Sequence, residues 1–273
     1  MAEPLIDAQN LKVALFCIIR NEHNYVKEYV EHYLNLGFTN IYFIDNSSND
    51  HLDDIINDMN VKDKVFIINI RNKEPFKNNF GDYCTNLYTS LYNIYYFKYD
   101  WLAFFDLDEF LILNKDNNIK EYLSRDMFKN IDQIHINWLV FDDNDQLYYS
   151  PQPLIKRFNR VSKKYYDLYG EYAHGVKSII RTNLNLHFVS QHTAVSNTDD
   201  KLITCDNDGF RYNEYYSTHK YLTIEYAQLN HYMTKSTEEY LNKNIHGQWN
   251  FYEKYFQINE YSEEKHNMLK SLK

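Results

Sequence analysis

The chain has 273 residues, a net charge of −9 and 25% charged residues, which argues against a broad basic surface for nucleic acid and fits one large or two small globular units. Its three cysteines, Cys17, Cys84 and Cys205, are widely spaced, so neither a disulfide framework nor a zinc signature is expected, and a reducing compartment is favoured. The start, Met1 to Asn10, has no basic segment ahead of an apolar one, and the longest apolar run, Val13–Ile19, is too short to span a bilayer; the expectation is a cytoplasmic protein, at most peripheral to a membrane.

Val13–Ile19 reads as a strand covered on both faces. Val26, Tyr29, Val30 and Tyr33 then follow helical spacing, with Gly37 placed to stop the helix. Ile41–Ile44 is a second strand, and Asp50 is placed to cap a short helix reaching Met59. Val65–Ile70 is a third strand, Cys84 to Tyr95 a long helix, and Trp101–Phe105 a fourth strand that runs into Asp106-Leu107-Asp108-Glu109. This alternation predicts an α/β fold with a Rossmann-like, mainly parallel central sheet flanked by helices.

Beyond it the pattern loosens. Gln133–Phe141, Ile179–Arg181 and Leu186–Val189 read as strands, the first expected beside the strand that ends at Asp106. Asn159–His174 reads as a polar, Tyr-rich loop. Ser236 and Glu239 form a capping box ahead of a helix expected to reach about Tyr255. No repeat or linker divides the chain. One domain is expected, with a donor half over about 1–113, an acceptor half over about 114–235 and terminal helices over about 236–273.

Ligands of such sheets bind beyond the carboxyl ends of the strands. Three polar clusters fall there: Arg20-Asn21-Glu22, Asp45-Asn46 and Asp106-x-Asp108. Two carboxylates one residue apart at a strand end can share a divalent cation, which prefers oxygen ligands and offsets charge gathering on a diphosphate leaving group. A bare Asp-x-Asp is common, with a solvated turn as its plain alternative; its place after WLAFF is what gives it weight. The 27 tyrosines and 17 phenylalanines, against 6 glycines, leave two readings open, an AT-rich coding bias or aromatic faces that stack on sugar rings.

Ordered segments spread over most of the chain carry a resemblance: residues 18–50, YDWLAFFDLDEFLIL (99–113), INWLVF (136–141), HGVKSIIR (174–181) and residues 229–247. Together they resemble GT-A glycosyltransferases of the family 2 and family 92 type. The resemblance implies a donor that is a nucleoside-diphosphate sugar, with uridine the expected base, a carbohydrate acceptor and Mn²⁺ or Mg²⁺. It places Arg20, Asn21, Glu22 and Asp45 around the nucleobase and ribose, and Asp106 toward ribose and metal. Asp108 becomes the principal metal ligand, His231 completes the coordination and Lys235 lies near the diphosphate. For His231 the plain alternative is a packed histidine, for Lys235 a solvent-facing lysine, and for Asn21-Glu22 a helix entry.

One departure stands out. The family shows small residues after its Trp-x-x-Phe, whereas here Phe141 is followed by Asp142-Asp143-Asn144-Asp145. An inverting transfer needs a base for the acceptor proton, and Asp142 and Asp143 are the candidates; the alternative is an Asp/Asn-rich turn. His174, Lys177 and His192 fall in family-like segments without an assigned role. Two other readings compete: a Mg²⁺-dependent phospho- or nucleotidyltransferase, disfavoured because no phosphate-cradling glycine loop exists, and a carbohydrate-binding protein that kept the fold and lost the chemistry.

Overall fold

The computed structural model describes residues 10–70, 80–212, 222–244 and 251–271. Residues 1–9, on which the leader expectation bears, and 245–250, part of the last expected helix, lie outside them.

The first half follows the expected alternation. β1 (Val13–Ile19) is followed by α1 (His23–Asn35), whose Val26, Tyr29, Val30 and Tyr33 are buried. Gly37, at φ +88°, takes the left-handed turn that ends the helix. Next come β2 (Asn40–Asp45), α2 (Leu52–Asp58), β3 (Val65–Asn69), α3 (Phe80–Tyr95), β4 (Trp101–Phe104) and β5 (Glu109–Leu113). Asp50 does not cap α2. Its carboxylate accepts the His23 backbone N–H at 2.9 Å, and His51, at φ 58°, precedes the helix instead.

The second half is built from shorter pieces: α4 (Ile119–Leu123), β6 (Gln133–Val140), α5 (Leu154–Arg157), α6 (Lys163–Tyr169), β7 (Val176–Arg181), β8 (Leu186–Phe188), β9 (Ala194–Ser196), β10 (Thr204–Asp206), β11 (Arg211–Tyr212) and β12 (Ala227–His231). The chain closes with α7 (Thr237–Asn244), α8 (Phe251–Ile258) and α9 (Glu263–Lys270). The segment expected as a loop over 159–174 contains α6, because Ser162 caps it by accepting the Tyr165 N–H. The capping box is present: Glu239 accepts the Ser236 N–H at 3.1 Å and Ser236 accepts that of Glu239 at 3.3 Å. The helix it starts is described as far as Asn244, where the described residues break off, so its expected reach to about Tyr255 lies partly outside them; α8 begins where they resume.

Among the described residues, one sheet runs in the order β11-β10-β6-β7-β4-β1-β2-β3, with β12 joining β6 to β5. β1 is parallel to β2 and β4, and β2 to β3. β10 and β12 are parallel to β6. β7 runs antiparallel between β4 and β6, so Gln133–Phe141 does not lie beside the Asp106 strand as expected. β7 fills that place.

The aromatic residues build the core. Phe16 stacks between Tyr42 at 4.9 Å and Phe104 at 5.3 Å. On the other face Tyr29 and Tyr33, one helical turn apart, are fully buried, and each hydroxyl has a partner. Tyr29 donates to the Phe105 carbonyl at 3.2 Å; Tyr33 donates to the Glu109 carbonyl at 2.8 Å and accepts the Leu111 N–H at 3.1 Å. A buried tyrosine here supplies apolar area and satisfies backbone groups that the acidic turn leaves unpaired. That use ties the tyrosine-rich composition to the place where the turn is held.

Candidate active site at the carboxyl edge of the sheet

Strand direction assembles the site. The parallel strands β1, β2 and β4 end on one edge. Antiparallel β7 begins there, so Lys177 arrives beside Asp106. β12 ends there too, its His231 in register with Glu109 of β5 and Val140 of β6. The Asp106–Glu109 turn closes on itself: Glu109 Oε2 accepts the Asp106 N–H at 2.8 Å, and the Glu109 N–H donates to the Asp106 carbonyl at 3.0 Å.

Lysines surround the acidic turn. Lys177, fully buried, reaches Asp106 at 2.7 Å and Glu109 at 3.8 Å. Burial works against its charge, but Asp106 and Glu109 outweigh it and hold its pKa above the ordinary lysine range. Glu109 is itself fully buried, and that burial pushes its carboxyl up against the pull of Lys177. Asp108 meets Lys243 at 2.9 Å and Lys235 at 3.6 Å through Oδ2. Burial would raise its carboxyl; the two lysines and His231 hold it well below the usual range instead. Glu22 answers the same lysines, at 3.8 Å from Lys235 and 3.4 Å from Lys243. Lys235 lies over the Tyr25 ring at 4.6 Å in a left-handed backbone conformation, φ 53°, so it is a buried, placed cation rather than a solvent-facing lysine.

The residues fit a small divalent cation in part. Asp108 Oδ1 lies 3.6 Å from His231 Nε2, with both side chains buried. Glu109 Oε1, buried without a hydrogen-bond partner, is 4.0 Å from the same nitrogen. Among the described residues no three His, Cys, Asp or Glu side chains enclose a metal by themselves. The carboxylate suits a hard ion such as Mg²⁺ or Mn²⁺ that takes its remaining ligands from phosphates and water, and the imidazole nitrogen is the softer donor of the pair.

The first two strand ends are laced together. Asn21, at φ 53°, accepts the Asn49 N–H at 2.9 Å and donates its own N–H to Ser48 at 3.1 Å. Asp45, buried, accepts the Ser48 N–H at 2.8 Å. Arg20 is exposed at the same edge. Arg20, Asn21, Glu22, Asp45, Asp106, Asp108, His231 and Lys235 thus share one edge of the sheet.

Asp142 and Asp143 do not join them as free bases. Asp142 is held by Arg160 at 2.6 Å, although burial raises its carboxyl. Asp143 is fully buried, paired with Lys265 at 2.8 Å and hydrogen-bonded by the Tyr255 hydroxyl. Its N–H donates to Asn259 at 2.7 Å. The turn reading wins: Asn144 and Asp145 take positive φ, 45° and 58°, and the carboxylates tie it to α8 and α9.

Lys243 and the back-bonding of Glu109 were missed in the sequence. The capping box carried a signal, since Lys243 follows Glu239 by four residues and shares its helix face. Gly175 is a third omission. A Cβ there would come within 2.1 Å of the Trp138 ring, so only glycine lets this indole lie against His231, ring centres 4.4 Å apart.

A mainly parallel α/β sheet flanked by helices is the fold class of a GT-A-type glycosyltransferase. The chain belongs to glycosyltransferase family 92, whose model matches residues 15–270. A sequence comparison with curated proteins gives no match. Solved structures with partial likeness include S. aureus TarS 1-349 (11% identity, TM-score 0.34, 63% of this chain and 47% of that one). The same protein in complex with UDP gives 10% identity and a TM-score of 0.35, with the same coverage of both chains. Core-mannan synthase A from Aspergillus fumigatus, in its Mn/GDP form, gives 14% identity and a TM-score of 0.29 over 54% of this chain and 53% of that one. The chain thus spans about half the length of these structures. Among the described residues no helix is long and apolar enough to cross a membrane.

Proposed function

We propose that this chain, as one catalytic unit, transfers a sugar from a nucleoside-diphosphate donor, a UDP-sugar, to a hydroxyl of a carbohydrate acceptor with inversion. The observation that carries the reading is the buried Asp108, set between two lysines and a histidine at the strand edge. Such a cluster has little to add to folding that apolar residues would not supply better. It suits a ligand that brings both negative charge and a cation.

In this reading Arg20, Asn21 and Asp45 line the nucleoside end, where the two laced loops present backbone and carboxylate groups. Asp106, its Oδ2 held by Lys177, turns its other oxygen to the ribose. Asp108 and His231 would hold Mn²⁺ or Mg²⁺, which would supply charge neutralisation at the departing diphosphate. Lys235 and Lys243 exchange their carboxylate partners for phosphate oxygens as the donor enters, so the charge that develops on the leaving group meets cations already in place. The test is hydrolysis of a panel of nucleotide sugars with and without EDTA. UDP-sugar turnover that EDTA removes and Mn²⁺ restores is expected. Full turnover in EDTA would sink the metal assignment, and no turnover with any donor would favour a carbohydrate-binding protein.

A further inference from the structure

We infer that His192 is the group that takes the acceptor's proton, in place of the sealed Asp142 and Asp143; this rests on the UDP-sugar reading above. His192 sits in the tight turn between β8 and β9, closed by the Val189 N–H to Thr193 at 3.1 Å. Ser178 of β7 donates to its carbonyl, and its Nδ1 lies 2.8 Å from the Val176 carbonyl. A carbonyl oxygen only accepts, so Nδ1 carries the hydrogen and Nε2 keeps a lone pair. Among the described residues no hydrogen bond reaches Nε2. This is the tautomer a proton acceptor needs, fixed by the backbone next to Lys177.

The ring also faces the site. Its edge meets Trp138 at 5.3 Å, and the same indole contacts His231 at 4.4 Å, so one side chain links the proposed metal ligand to the proposed base. The charged groups around it act in both directions. Burial lowers its pKa most, Lys177 and His231 push the same way, and Asp106 opposes them, leaving it at about 4. The imidazole is therefore neutral at ordinary pH and able to accept. The carboxylates nearby are poorer candidates, since Asp106 and Asp108 are bound to lysines on the side where the diphosphate leaves.

The step balances. The acceptor oxygen forms its bond to the anomeric carbon as the bond from that carbon to the β-phosphate oxygen breaks. The bonding pair leaves on UDP, the hydroxyl proton passes to His192 Nε2, and the imidazolium then returns it to water.

Three measurements on His192→Asn and His192→Ala test this: hydrolysis of a UDP-sugar that the wild type turns over, with water as acceptor, UDP affinity by calorimetry, and thermal melting. Asparagine can place its amide N–H where Nδ1–H stood, and so keep the tether to Val176, but it has nothing at Nε2. Both variants should lose about 10²–10⁴-fold in turnover with UDP affinity unchanged, and His192→Asn should melt near the wild type. Wild-type turnover in His192→Asn would overturn the inference and leave His192 a tether. Loss of UDP binding in both variants would also overturn it, by placing His192 in the donor site. If the wild type hydrolyses no nucleotide sugar, the donor reading itself fails and the inference falls with it.

Discussion

Two acidic turns leave the sheet on the same kind of strand end, and they have opposite fates. Asp106–Glu109 and Asp142–Asp145 each follow an apolar strand and each carry several carboxylates. In the second turn every carboxylate has a structural partner. Asp142 and Asp145 bind Arg160, and Asp143 and Asp145 bind Lys265, so the turn is a clasp for α8 and α9. In the first turn Asp106 stays a third exposed, at 37%, Glu109 keeps a buried oxygen without a hydrogen-bond partner, and Asp108 is shared among two lysines and His231. Charge at a strand end therefore says little until its counter-ions and exposure are known. Carboxylates paired to cations that belong to the packing of neighbouring elements clasp the fold, even where one of them, Asp145, is exposed; those set among several groups at the ligand edge of the sheet are available to a ligand.

The largest effect should come from breaking the clasp. Lys265→Met leaves the buried Asp143 with only the more distant Arg160, at 3.9 Å, and the Tyr255 hydroxyl, which costs up to about 3–5 kcal/mol. Denaturant unfolding should show that loss, while UDP affinity of the folded fraction stays native; native stability would mean the turn is no clasp. Asp108→Asn should do the reverse. Its turnover should fall about 10²–10³-fold with a nearly native melting temperature, because Glu22 still answers Lys235 and Lys243. An Asp108→Asn protein that unfolds would erase the contrast between the two turns.

How much of this was legible in the sequence depends on what each feature needs. Hydrophobic period and strand-end polarity are local, so β1 to β4, α1, α3 and the Asp106–Asp108 pair could be read in order. The insertion of β7 between β4 and β6 could not, since a sheet order set by long-range pairing leaves no mark on the period of β6. The same limit hid Lys243 and left Lys177 and His192 singled out but without a role, since they reach the edge from α7, β7 and a hairpin turn. The partners of Asp142 and Asp143, which are Arg160, Tyr255 and Lys265, could not be read either, because they lie farther along the chain.

A smaller effect should follow from Tyr33→Phe. It removes the donor to the Glu109 carbonyl and should cost about 1–3 kcal/mol, read from thermal melting. The change should reach turnover through the acidic turn, whereas Tyr255→Phe, on the other turn, should alter stability alone. Equal effects on turnover would blur the distinction.

A last effect is a pH slope. His192 and His32 have pKa values lowered mainly by burial, His192 from 6.5 to about 4. Between those values the unfolded chain binds the proton and the folded one does not. Stability is therefore full above 6.5 and declines as the pH falls toward 4. Melting curves across that window should show the decline, and His192→Asn should flatten it. An unchanged slope in the variant would mean that His192 is not held neutral by the fold.

The most direct measurement of the central claim is calorimetric titration of UDP in the presence and absence of Mn²⁺, with wild type, Asp108→Asn and Asp143→Asn compared at a temperature where all three remain folded. Metal-dependent binding by the wild type that is lost in Asp108→Asn and kept in Asp143→Asn is the predicted result. Binding that ignores both the metal and Asp108, or that Asp143→Asn abolishes in a folded protein, would contradict it.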